Sequence, residues 1–158
     1  MPNWCYNTLR LKHEDTAVLD KVQKAFTDGK LLETMVPYEG EWDYNWCVAN
    51  WGTKWDVGGD SYVRPNPNEL VLTFDSAWSP PIKAYETLTE QGFEVKASYY
   101  EPGLAFAGLW EDGFDDYYEY GELSADEIEA TLPAELNEEY GIAEQVAEWE
   151  DQQEENDE

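Results

Sequence analysis

The sequence predicts an α+β fold: a ferredoxin-like β-α-β-β-α-β antiparallel sheet with an added C-terminal hairpin, followed by an acidic helical tail. Three observations predict it. Short segments with strand alternation recur around two segments with helical spacing. Capping and turn residues fall at the joints between them. The charge then changes so abruptly that the last third of the chain reads as a different kind of polymer.

Residues 3–12 alternate, with Trp4, Tyr6 and Thr8 on one side and Cys5, Leu9 and Leu11 on the other, which predicts a strand. Asp15 or Thr16 is placed to cap a helix carrying Val18, Val22, Ala25 and Phe26 on one stripe, with Gly29 as its stop. Residues 31–50 contain Pro37 and Gly40 and read as irregular. Residues 51–63 read as a turn and then a strand, bent at Gly58-Gly59. Glu69 to Ser76 is a strand, with Leu70, Leu72 and Phe74 on one face. Ser79-Pro80-Pro81 opens a second helix, with Ser79 as the expected N-cap and Ile82, Tyr85 and Leu88 as the apolar face. Phe93 to Tyr100 is the next strand. Residues 104–110 and 115–120 flank the turn Asp112-Gly113 and form the hairpin. Beyond Gly121, Ser124 to Glu127 carries a capping-box pattern. Helical spacing returns at Ile142, Val146 and Trp149, with breaks expected at Pro133 and Gly141. The division expected is a domain over residues 1–121, folding by itself, and a tail over residues 122–158, disordered from Gln152 onward.

Of the 158 residues, 36 are acids and nine are bases, giving a net charge of −27. Residues 1–110 hold 16 acids and all nine bases, whereas Glu111 to Glu158 holds 20 acids and no base. Direct binding to nucleic acid is disfavoured, because that affinity comes from cations displacing phosphate counterions. Anionic membranes are disfavoured for the same reason, and basic partners are favoured. Two cysteines, Cys5 and Cys47, form neither a metal motif nor a disulfide framework. The first residues have no apolar run, and no segment approaches the ~20 apolar residues of a membrane span. The expected location is the cytoplasm.

Four segments carry a resemblance: Met-Pro-Asn-Trp-Cys-Tyr-Asn at the start, Asn50-Trp51-Gly52-Thr53-Lys54-Trp55-Asp56, Phe74-Asp-Ser-Ala-Trp78-Ser79-Pro80-Pro81, and Tyr99-Tyr-Glu101-Pro-Gly103 with Phe106-Ala-Gly-Leu-Trp110. In this order they resemble the YubB-type ferredoxin-like domain family of phage and plasmid proteins, over roughly residues 1–120. The resemblance implies that fold and a mobile-element origin. It implies no chemistry and excludes the acidic tail.

No catalytic residue, metal or cofactor is assigned. His13 is a lone histidine, and nothing in the sequence joins it to Cys5 as base and nucleophile. Asp112, Asp115, Asp116 and Glu119 crowd one hairpin but lack the register of a calcium loop. Trp51, Lys54, Trp55, Asp56 and Trp78 form a candidate ligand or peptide pocket, the competing expectation being that the tryptophans pack in the core while Lys54 pairs with Asp56 or a neighbouring acid.

The tail is the second candidate. Drawn as one helix, residues 122–158 would run about 55 Å at a rise of ~1.5 Å per residue. Its fifteen acids would then approach the phosphate spacing of a DNA strand. This predicts a non-enzymatic DNA mimic that binds and inhibits a basic DNA-handling protein of the host, such as a nuclease or defence complex. The partner-binding residues expected are Glu138, Glu139, Glu144, Glu148, Trp149, Glu150 and Asp151. Residues 142–151 are expected to be helical and docked on the domain or on a partner through Trp149, with Glu144, Glu148, Glu150 and Asp151 largely turned outward. The alternative is a small-ligand or peptide-binding module that uses the Trp cluster, with the tail only solubilising.

Overall fold

The computed structural model describes residues 3–157. It is an α+β arrangement, with one six-stranded antiparallel sheet and seven helices among the described residues. The strands are β1 (Trp4–Lys12), β2 (Tyr62–Asn66), β3 (Glu69–Ala77), β4 (Glu94–Glu101), β5 (Phe106–Glu111) and β6 (Phe114–Glu119). The helices are α1 (Thr16–Thr27), α2 (Leu31–Met35), α3 (Tyr44–Asn50), α4 (Ile82–Glu90), α5 (Ala125–Thr131), α6 (Ala134–Tyr140) and α7 (Ile142–Asp157). The spatial strand order is β2-β3-β1-β4-β5-β6. It differs from a simple four-stranded ferredoxin sheet because β5 and β6 continue the sheet beyond β4.

The two-residue period of β1 sorts its side chains between two environments. Cys5, Asn7, Leu9 and Leu11 are buried, while Trp4, Tyr6, Arg10 and Lys12 are exposed. Leu9 and Leu11 join Leu70, Leu72, Phe74, Val95 and Trp110 in the main core, under Leu19, Val22 and Phe26 of α1 and Tyr85 and Leu88 of α4. Asp15 caps α1 as expected, its carboxylate accepting from the Ala17 N–H at 3.0 Å. The β5–β6 turn is also as the residues require. Asp112 and Gly113 both have positive φ, 47° and 97°, which matches the strand twist in a two-residue hairpin.

Three local expectations fail in whole or in part, the first two for a tertiary reason. Residues 31–50 are irregular only over 36–43, around Pro37 and Gly40, with a short helix on either side. Asp56 reaches back to cap α2, its carboxylate accepting from Leu32 N at 2.7 Å and Glu33 N at 2.9 Å. Asp43 caps α3 by accepting from Trp46 N at 2.8 Å. Ser79 does not cap α4, which begins only after Pro81. Its hydroxyl donates instead to the Gly52 carbonyl at 2.6 Å, and Ala84 N at the start of the helix donates to the Trp51 carbonyl at 3.2 Å. The chain from Gln152 to Asp157 continues α7 rather than leaving regular structure; Glu158 lies outside the described residues.

The acidic segment is a folded cover. Gly141, at φ 62°, and Pro133 break it into three helices that pack on the second face of the sheet. Ile128, Leu132, Leu136, Ile142 and Ala143 bury against Tyr100, Ala107 and Tyr120, with Leu109 and Tyr118 at the margin. Polar contacts fix the docking. Tyr140 and Ser98 hydroxyls lie 3.1 Å apart, Tyr100 Oη donates to Gln145 Oε1 at 2.9 Å, and Lys96 pairs with Glu135 at 3.1 Å. The breaks fall at Pro133 and Gly141 as expected, and the segment is a three-helix layer.

Leu136→Ala removes a fully buried side chain of this layer and should cost ~2–5 kcal/mol in urea unfolding followed by circular dichroism. A chain ending at Gly121 should bind a dye specific for exposed apolar surface, because Tyr100, Leu109 and Tyr118 lose their cover. Parent-like stability in both would show that the helices detach freely.

Candidate functional site

Four segments distant in sequence meet where β1 begins and β3 ends. Trp4 lies opposite Ala77 in the ladder, and Trp78 N donates to the Asn3 carbonyl at 2.8 Å. A chain of polar contacts ties the loop after α3 to this end. Asn7 Nδ2 donates to Ser76 Oγ at 2.9 Å, Ser76 Oγ to the Ser79 carbonyl at 2.7 Å, and Thr53 Oγ1 to the Ala77 carbonyl at 3.0 Å. Asn7, Ser76 and Thr53 are buried, where a satisfied network fixes one arrangement. Gly52 is required twice. Its φ is 91°, and a Cβ there would stand 3.0 Å from Ile82 N.

This network holds Lys54 between two indole rings. Its Nζ lies 3.8 Å from the Trp78 ring centroid and 4.2 Å from that of Trp55. The Trp4 ring follows at 6.2 Å from Trp55, and Trp42 Nε1 donates to the Lys54 carbonyl at 2.9 Å. Trp4, Trp55 and Trp78 are 41%, 42% and 44% exposed. Trp78 is also strained, at φ 68°, a left-handed conformation that costs a bulky residue on the order of 1–3 kcal/mol.

Of the five expected pocket residues, the structure brings together Lys54, Trp55 and Trp78. Trp51 belongs to the core, buried with its Nε1 donating to the Val36 carbonyl at 2.8 Å and its ring edge-on to Trp46. Asp56 faces backbone N–H groups. Burial pushes its carboxyl above the usual range, partly offset by the N–H groups of Glu33, Leu32 and Val57. The expected Lys54–Asp56 pair is absent because Asp56 is occupied in capping α2. Sequence reasoning left out Trp4 and Trp42. The alternation of β1 places Trp4 on the outward face, but its meeting with Trp55 is set by the tertiary network.

The remaining candidates separate. Cys5 and His13 lie at opposite ends of β1. Burial pushes the Cys5 thiol up to about 12, and His13 Nδ1 accepts from Asp15 N at 2.9 Å. Burial also raises Cys47. The hairpin carboxylates have separate partners. Asp112 accepts from Val95 N, Asp115 from Tyr99 Oη, Asp116 from Tyr118 Oη and Glu119 from Tyr117 Oη. Among the described residues no group of three or more His, Cys, Asp or Glu is placed to hold a metal.

On the acidic layer, Glu138 and Glu139 of α6 and Glu144, Glu148 and Asp151 of α7 are exposed. Of the two docking places expected for Trp149, the domain is excluded, since the ring is 60% exposed. The side of α7 that faces the protein is Ile142, Ala143, Val146, Ala147 and Glu150, so the packed face is centred between Val146 and Ala143 and Trp149 falls outside it. Glu150 is half-buried and accepts from Ala125 N at 3.0 Å, tying α7 to the start of α5. Of the seven expected residues, five carboxylates and one indole stand outward.

No family model matches the chain, and no curated protein matches it. Among solved structures, it is similar to the crystal structure of a protein api92 from Yersinia pseudotuberculosis, with family-model DUF1281, at 27% identity and a TM-score of 0.38. The aligned region covers 49% of this chain and 30% of that one, so the chain spans less than a third of that protein's length. No helix among the described residues is long and apolar enough to cross a membrane.

Trp51→Ala should cost ~3–5 kcal/mol in chemical denaturation, as expected for a buried aromatic. Trp55→Ala should cost about 1 kcal/mol, the scale of a partly exposed cation–π contact. Equal losses would place both rings in the core. Cys5 and Cys47 should resist a thiol reagent at pH 8 until denaturant is added, because the reactive thiolate is suppressed in the fold.

Proposed function

We propose that the chain is a non-enzymatic interaction protein whose acidic helical layer binds a basic, phosphate-binding surface of a DNA-handling protein. The observation that carries this reading is the ordering of the acidic segment. Its apolar residues are spent on the sheet, its carboxylates stand outward, and no base is present after Lys96 to offset them. A solvated tail has no need of three docked helices. A fixed array of like charge focuses potential, speeds encounter with a basic partner and competes with nucleic acid for its surface. Glu138, Glu139, Glu144, Glu148 and Asp151 supply the charge, and exposed Trp149 supplies the apolar anchor such interfaces use.

The resemblance to YubB-type domains supports a mobile-element setting, with the partner a host nuclease or defence complex in the cytoplasm. The ferredoxin-like reading of the core is supported by the order β2-β3-β1-β4 of its first four strands and by α1 and α4 sharing one face.

The test is competition. Purified DNA-binding nucleases are loaded with a labelled duplex, and displacement by the full chain is followed by fluorescence anisotropy. At least one should release DNA, with apparent affinity falling steeply as salt is raised past the ~8–10 Å screening regime. Replacing Glu138, Glu139, Glu144, Glu148 and Asp151 by Gln should abolish displacement, and Trp149→Ala should weaken it about tenfold or more. Displacement no better than that of polyglutamate of equal charge would overturn the proposal.

A further inference from the structure

The end of the sheet that holds Lys54 is separate from the acidic layer, and its geometry has a meaning of its own. Two indole faces flank one ammonium at 3.8 and 4.2 Å. This is the arrangement by which proteins recognise organic cations, since the ring faces are negative and an ammonium between them is attracted to both. Here the chain's own lysine fills the slot.

The occupant is unusual for this protein. Acids outnumber bases by 36 to nine, and Arg10, Lys24, Arg64, Lys83 and Lys96 each lie on a carboxylate. Of the cations without one among the described residues, Lys12, Lys21 and Lys30 are exposed, and Lys54 is half-buried between aromatic rings. The walls are also costly to hold. Trp78 keeps a left-handed backbone, and both rings remain more than 40% open to solvent, so their apolar burial does not explain the strain. The loop carrying Lys54 is pinned through its main chain and its neighbours, by the Thr53 hydroxyl, the Gly52 carbonyl and the indole of Trp42. The lysine side chain itself is held by the two rings.

We infer that Trp55 and Trp78 form a binding cage for a quaternary or fully methylated ammonium group, and that Lys54 is a tethered occupant which such a group displaces. A primary ammonium is compact and strongly hydrated and gives up water reluctantly. A quaternary ammonium carries the same charge on an apolar surface, so it gains more from two indole faces. The tether gives Lys54 an effective concentration in the millimolar range, which sets the competition an incoming ligand must overcome. Trp4, beside Trp55, extends the platform along which the rest of the ligand lies. The chain's net charge of −27 favours a cation over an anion as the ligand.

The probe is tetramethylammonium chloride titrated into the full chain, with sodium chloride at matched ionic strength as reference. Indole proton shifts and tryptophan fluorescence are the readouts. Lys54→Ala and Lys54→Gln should bind the probe about tenfold or more tightly than the parent, the advantage expected on removing a tethered competitor. Adding Trp78→Ala to Lys54→Ala should abolish the response. Three results would overturn the inference. One is a Lys54 variant no better than the parent. Another is a response that survives loss of Trp78. The third is unfolding of both Lys54 variants, which would make the lysine a structural clamp. None of these outcomes bears on the acidic layer, whose competition assay involves other residues.

Discussion

Everything in this molecule depends on a sheet that has to be buried on both faces along β4 and β5. Strand geometry sends alternate side chains to opposite sides. In β4, Val95 and Ala97 go to the main core, while Ser98 and Tyr100 go to the other face. In β5, Trp110 faces the core and Ala107 faces away. An antiparallel sheet can leave one face to water when that face is polar. Here it carries Tyr100, Ala107 and Leu109, so it needs a second layer. The acidic helices supply it, and their composition follows from the task. Each holds a few apolar residues for the sheet and gives its remaining positions to water.

The sheet is also shaped from within by one missing side chain. Gly108 of β5 stands opposite Tyr99 of β4, and a Cβ there would collide with the Tyr99 ring. The ring crosses the gap and donates its hydroxyl to Asp115 of β6 at 2.6 Å. Three strands are thereby joined by one residue. Burial and the Asp115 carboxylate both hold the Tyr99 phenol far above its ordinary range, so it remains a donor.

Much of the fold was readable from local pattern. Five strands follow from alternation and turn residues, whereas β2 runs Tyr62–Asn66 through Pro65 and not over residues 51–63; α1 and α5 follow from spacing and caps, and α4 from spacing alone. The hairpin follows from Asp112-Gly113. What was not readable has a common physical cause, which is help from distant residues. Neither Pro37 nor Gly40 reveals that α2 and α3 form on either side of them, because Asp56 is needed for α2. Ser79 looks like a helix cap until Gly52 is known to lie within reach of it. The candidate site was partly legible. Trp55, Lys54 and Trp78 are conspicuous in the sequence, but their sandwich depends on a network through Asn7, Ser76 and Thr53. Helical spacing puts Ile142, Val146 and Trp149 on one stripe of α7. The packed face is instead Ile142, Ala143, Val146, Ala147 and Glu150, because α7 also leans on α5, where Glu150 accepts from Ala125 N, and Trp149 is left exposed.

The position of the cover in the chain has a consequence for how the protein is made. All six strands precede α5, so during synthesis the sheet leaves the ribosome before any residue able to shield Tyr100, Leu109 and Tyr118. For that interval the nascent chain presents an apolar strip to solvent. Asp116, opposite Leu109 in the ladder, puts a charge on the same face as that strip. Such a charge disfavours the pairing of two unfinished chains until Ile128, Leu136 and Ile142 arrive to close the face.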